Sequence, residues 1–174
     1  MGGHEMERQA GGPNDAMLVA VRHSCWGNLE LIAFCGRLSP EQLAWTTPGT
    51  YGDVAGTLRH IVSADQGYLL ALTGTLPGEP RVDPARSIAL PDLASKERAV
   101  LDAAERMLGQ PFEVGRRIER PRTTATAGVI LAQLVHHGTD HRSQIATILS
   151  AQGIEPPDLQ VWTYGTSIGQ VETK

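Results

Sequence analysis

Apolar residues recur at steps of three and four in four stretches of this chain, the signature of helices that turn one face to a core. The first stretch runs from Asp15 to Arg37, with Leu18, Val21, Cys25, Leu29 and Ile32 on one face, and "LSP" closes it. The second begins at "YGDVAGTLRH", where Asp53 is placed to cap the free amides of the first turn. Its stripe is Val54, Leu58, Ile61, Tyr68 and Leu72, with Asp65 in between, and it ends at "TGTLPGEP". The third follows Pro91, turns Leu93, Val100, Leu101, Ala104 and Leu108 inward, and stops at Gly109 and Pro111. The fourth opens near Thr124 or Thr126 and reaches Ala151, ahead of Gly153 and "EPP". Four long helices with almost no strand alternation predict an all-α, four-helix bundle.

The segments outside these helices are less regular. Residues 1–14, "MGGHEMERQAGGPN", are polar and glycine-rich without a period, so a flexible tail is expected there and a single domain over residues 15–174. "FEVGRRIERPR", between the third and fourth helices, reads as a short extended segment. "DLQVWTYGTSIG", carrying Trp162 and Tyr164, is expected to pack back on the bundle or on a partner subunit.

The fourth helix carries the chemistry. Its stepping continues as Ile130, Leu134, His137, His141, Ile145 and Ile148, which puts two imidazoles at consecutive inward positions. A buried imidazole needs partners for both ring nitrogens. Hydrogen bonds to other side chains, a partly wetted face, or a divalent metal would each supply them. The metal reading needs a third ligand, and His60 of the second helix offers one, beside the small residues Thr57, Ala64, Gly67 and Ala71. Three histidines from two facing helices make an open site suited to zinc, nickel, iron or manganese, with water completing the coordination. A purely structural metal would want a fourth protein ligand, and none is apparent. His136 points about 100° away from His137 and reads as a boundary residue, and His23 reads as surface. A zincin protease is excluded because Gly138 stands where HExxH needs its glutamate. Ser24 and Ser143 have no Asp–His arrangement around them.

Composition narrows the classes further. Over 174 residues, 41% hydrophobic content suffices for one core. A net charge of −4, with basic residues only in short clusters such as "GRRIERPR", argues against nucleic-acid binding. No membrane span is expected, because the most apolar early stretch contains Arg22, His23 and Glu30. That stretch also lacks the pattern of a signal peptide, so a cytoplasmic location is expected. Cys25 and Cys35, ten residues and roughly 15 Å apart on one helix, are too distant for a disulfide and read as core fillers.

"YGDVAGTLRHIVSADQGYL" and "HHGTDHRSQIATILSAQGIEPPDLQVWTYG" resemble the two signature segments of the DinB superfamily. The resemblance spans about residues 15–165 and departs from the pattern at Asp53, where family members often carry a small hydroxyl residue. It implies an up-down-down-up bundle with one long crossover between the helix of His60 and Pro91, commonly a homodimer. It also implies a divalent metal, zinc or nickel first, on His60, His137 and His141. Characterised relatives include transferases and isomerases that use a thiol such as mycothiol, bacillithiol or glutathione, and many members have no known activity. On that footing the metal would turn a bound thiol into a thiolate that attacks an electrophilic small molecule. Gln144 and Arg142 would contact cofactor or substrate, with Asp140 nearby. Metal-dependent hydrolysis and a non-catalytic metal-binding dimer remain the alternatives.

Overall fold

The computed structural model describes residues 14–172, so the segment expected to be a flexible tail, with His4, lies almost entirely outside the described residues. The chain is mostly helical. In order it forms α1 (Asp15–Cys35), α2 (Pro40–Leu43), α3 (Val54–Thr73), α4 (Leu90–Leu108), β1 (Arg117–Arg120), β2 (Thr123–Thr126), α5 (Ala127–Ala151) and α6 (Val161–Ser167). The four long helices fall where the apolar stepping places them. Asp53 caps α3, its carboxylate accepting from the Gly56 amide, and left-handed Gly74 closes the helix. The extended segment is real but forms half of an antiparallel hairpin that pairs Arg117 with Thr126. Its second strand takes Thr124, so α5 starts only at Ala127. The short α2 was hidden in "LSPEQL", where Ser39 and Gln42 make a reciprocal capping box.

Helix α1 packs on α4 and α5, and α3 packs on the same two. Their apolar faces form two clusters. One joins Leu31, Ile32 and Cys35 of α1 to Val54, Leu58 and Ile61 of α3, Leu93 of α4 and Ile145, Ile148 and Leu149 of α5. The other joins Val21 and Cys25 to Leu69 and Leu72, Val100, Ala104 and Leu108, and Ile130, Leu131 and Leu134. Thus α1 and α5 begin in the second cluster and end in the first, whereas α3 and α4 run the opposite way. Two neighbouring helices that share a direction need a long return, here residues 74–89. The return is fastened along α3. Ser63 Oγ donates to the Val82 carbonyl, Gln66 Nε2 to the Pro77 and Gly78 carbonyls, and the Val82 amide to Gln66 Oε1.

Between the two apolar clusters lies a polar layer. Asn28 of α1, Asp65 of α3, Glu97 of α4 and Arg142 of α5 are all buried. Asn28 Nδ2 donates to Asp65 Oδ2 (3.0 Å) and Glu97 Oε1 (2.8 Å), while Asn28 Oδ1 accepts from Arg142 Nη1 (2.7 Å). Arg142 also donates to the Ser24 carbonyl and hydroxyl and to Thr139 Oγ1. Space for its guanidinium is left by Gly27 and Gly138: a Cβ at Gly138 would stand 2.8 Å from Arg142 Nη1 and 3.0 Å from Ser24 Oγ. Burial pushes the Glu97 carboxyl up to about 7, against the lowering effects of its bonds from Asn28 and Cys25 and of the Arg142 charge. Burial, and next the neighbouring Glu97 charge, also raise Asp65.

The C-terminal segment folds over the middle of α1 at His23. Its Nε2 donates to the Leu159 carbonyl (2.8 Å), and its ring lies beside Trp26 and Tyr164, so His23 is half-buried and anchors the segment leading into α6. The expectation that the tail packs back holds for Tyr164, which is buried, whereas Val161 and Trp162 face solvent. No helix among the described residues is long and apolar enough to cross a membrane.

Two outcomes follow from the polar layer. Asn28→Ala removes the amide that both carboxyls and the guanidinium share, and a drop of about 3–5 kcal/mol in unfolding free energy by urea titration is expected. Gly138→Ala, which crowds Arg142 without removing a bond, should cost roughly 1–3 kcal/mol. A loss below 1 kcal/mol for Asn28→Ala, roughly the worth of an ordinary hydrogen bond, would show that the layer does not hold the helices together. The Glu97 carboxyl is harder to ionise folded (about 7) than unfolded (4.5), so its stabilising contribution is complete below the unfolded value and is lost as pH rises through about 7. His60 and His137, held below their ordinary value, act in the opposite sense. Subtracting the stability–pH curve of Glu97→Gln from that of the wild type should therefore leave a difference that declines from about pH 5 to pH 8. A flat difference would contradict the raised carboxyl.

Candidate metal centre

Helices α3 and α5 lie against each other, and the level of their contact brings His60, His137 and His141 together. One nitrogen of each ring lies within 4.8 Å of the others. His60 Nε2 and His137 Nε2 are 3.0 Å apart, and the His137 and His141 ring centroids are 4.5 Å apart at 73°. His141 is buried, while His60 and His137 are half-buried. The inward stepping that pairs His137 with His141 therefore leads to a cleft edge between two helices, not to the dry core. Further along α3 the Arg81 guanidinium fills the space over Gly67 and bonds to the Ser63 carbonyl.

The surroundings of His60 and His137 disfavour the protonated ring. Burial first, and then the neighbouring His141 and His60 charges, hold His137 down to about 4, which the exposed Asp140 partly offsets. Burial and His141 also lower His60. Neutral imidazoles present lone pairs, the form in which histidine binds a metal. A hydrogen bond between His60 and His137 places one proton between two nitrogens and leaves His137 Nδ1 buried with no partner. Two nitrogens bound at about 2.1 Å to one ion, at bond angles of about 90–110°, stand about 3.0–3.4 Å apart, so the observed spacing fits a shared cation. Among the described residues this is the one group of three or more His, Cys, Asp or Glu side chains so arranged.

Around the three rings stand residues of different origin. Gln144 Oε1 lies 3.0 Å from His141 Nδ1 and accepts from it, which assigns the Nδ1–H tautomer to the ring and directs Nε2 to a metal. The same oxygen accepts from the backbone amide of Tyr51 (3.1 Å), a residue the periodicity gave no reason to single out because it lies in the loop before α3. The Tyr51 ring stacks on His60 at 4.1 Å and 21°, and meets His141 edge-on at 5.1 Å. Tyr68 meets His137 edge-on from α3. Arg142 lies on another face of α5, bonded into the polar layer, and His136 is exposed rather than at the boundary.

Asn28 and Glu97 share their helices' apolar stripes. Stepping Val21, Cys25, Asn28, Ile32 and Leu93, Glu97, Val100, Ala104 puts both on the inward faces. Cys25 and Cys35 are buried and free, and the Cys25 thiol bonds to Glu97.

Comparison with known proteins agrees with this picture. No curated protein matches the chain. Its structure is similar to the crystal structure of a DinB-like protein from Bacillus cereus, with a TM-score of 0.64 over 83% of this chain and 95% of that one. Identity is 17%, so that likeness concerns the fold alone. A model of the DinB family matches residues 6–170, nearly the whole sequence, and the chain belongs to the DinB family.

Proposed function

We propose that His60, His137 and His141 bind one divalent cation, zinc or nickel first and iron or manganese next, and that the protein is an enzyme acting through a low-molecular-weight thiol. The observation that carries the reading is the meeting of three imidazole nitrogens within 4.8 Å with no carboxylate or thiolate among them. Three ligands leave positions open for an exogenous group, whereas a structural ion is normally closed by four. When bound, the ion supplies Lewis acidity that lowers the pKa of a coordinated thiol into the neutral range.

The residues of the chain supply the rest. Gln144 fixes the tautomer of His141, and Tyr51 and Tyr68 wall two sides of the cluster. No carboxylate among the described residues is hydrogen-bonded to the rings. Arg142 belongs to this reading as a positioning residue: it bolts α5 to α1 and so sets where His141, its neighbour in sequence, stands. Transfer of the thiol sulfur to an electrophilic small molecule is the reaction class.

The architecture proposed with this function is an up-down-down-up four-helix bundle with residues 74–89 as the crossover. It is supported by the shared direction of α3 and α4. Residues 15–174 form its one domain. A homodimer and a cytoplasmic location complete the reading, supported by solvent-facing Val161 and Trp162 and by two cysteines that are buried and free.

The test is thiol titration of cobalt-substituted protein. Mycothiol, bacillithiol or glutathione should add a sulfur-to-cobalt charge-transfer band in the near ultraviolet and perturb the visible bands, and His137→Ala should abolish both changes. A spectrum that responds to imidazole but to no thiol would leave an open site and overturn the thiol assignment.

A further inference from the structure

The loop between α2 and α3 places an aromatic ring over the histidine cluster. Tyr51 lies nearly parallel to His60, with centroids 4.1 Å apart, and its edge contact to His141 means that one ring covers two of the three imidazoles. The ring is nevertheless 54% exposed, so it forms an outer wall between the cluster and water rather than part of the core. Its loop is tied down at both ends: the Thr50 hydroxyl donates to the Thr47 carbonyl, and the Val54 amide to the Trp45 carbonyl. Between those ties, Gly49 and Gly52 have open space where a Cβ would stand, and the Tyr51 amide has a single side-chain acceptor, Gln144 Oε1. That oxygen is also the acceptor for His141 Nδ1. One carboxamide therefore fixes both the tautomer of a histidine and the position of the ring above it.

We propose that Tyr51 is the access-determining residue of the site, and that Gln144 is a positioning residue coupling the Tyr51 loop to His141. The inference rests on the metal reading above. A group entering or leaving the open coordination positions has to pass the Tyr51 ring, and slender ligands pass more easily than bulky ones. Stacking on His60 is a property of the ring face, so the phenol oxygen is not needed for it. The shared Gln144 oxygen makes ring position and His141 orientation one event: movement of the loop away from the cluster breaks the bond that sits beside the His141 contact.

The experiment is metal release from the intact, zinc-loaded chain into excess EDTA, followed by stopped-flow with a zinc-sensitive dye, beside zinc stoichiometry and helical circular dichroism. Tyr51→Ala should load like the wild type and lose zinc roughly tenfold faster, the scale on which residues around metal ligands act. Tyr51→Phe should stay within about twofold of the wild type. Gln144→Leu should also speed release, but by less in the Tyr51→Ala background than in the wild type, because the Gln144 bond to the residue 51 backbone amide then has no ring to hold over the cluster. Equal release from Tyr51→Ala and wild type would overturn the proposal. So would release from Tyr51→Phe as fast as from Tyr51→Ala, which would assign the effect to the hydroxyl. Multiplicative effects of the two substitutions would overturn the coupling. A wild-type chain that takes up no zinc would instead remove the metal reading itself, an outcome the stoichiometry separates from the others.

Discussion

Asn28 stands where four helices meet, and among the described residues its amide is the one group bonded to an ionisable side chain on each of the other three. An apolar residue there would leave two carboxyls and a guanidinium without their partner in a medium where each is costly to bury. A hydrophobic face tolerates small slides along a helix, but a carboxamide with both hydrogens and its oxygen in use does not. The layer therefore fixes the heights of α1, α3, α4 and α5 relative to one another, while the apolar clusters above and below it supply the burial that holds them together.

The histidine cluster inherits its geometry from that registration. His60 is five residues before Asp65 on α3, and His141 is next to Arg142 on α5, so each histidine-bearing helix is pinned by the layer within two turns of its histidine. Gly138 serves the same arrangement. It removes the glutamate that a zinc protease would need, and its missing side chain is what lets Arg142 reach Ser24 and Asn28. The protein thus separates its two kinds of polar chemistry. A buried network of ionisable groups lies on one side of α5, and the half-buried imidazole cluster lies on another.

Much of this was legible in the sequence, for a physical reason. The 3.6-residue period marks long helices strongly, so four of them, the Asp53 cap and the inward pairing of His137 with His141 could be read from the chain. Polar residues on apolar stripes were harder, because Glu97 and Asn28 look like surface residues until the partners that satisfy them are known, and those partners are distant in sequence. Tyr51 carried no signal, since a loop has no period and its partners are His60 and, far along the chain on α5, His141 and Gln144. The β2 strand was lost to α5 because "TTAT" runs directly into the helix and offers no punctuation. The bonds of Arg142 to Ser24, Asn28 and Thr139 could not be read from the sequence, because stepping along α5 assigns a face but not the reach of a long side chain.

The central claim is that three histidines hold one exchangeable divalent ion, and elemental analysis of purified, tag-free protein tests it most directly. Wild-type protein should carry about one zinc or nickel per chain, and the His137→Ala, His141→Ala double variant should carry none while keeping its helical signal. Wild-type protein that holds no ion after incubation with zinc, nickel and manganese would contradict the claim and leave the cluster as histidines bonded to one another.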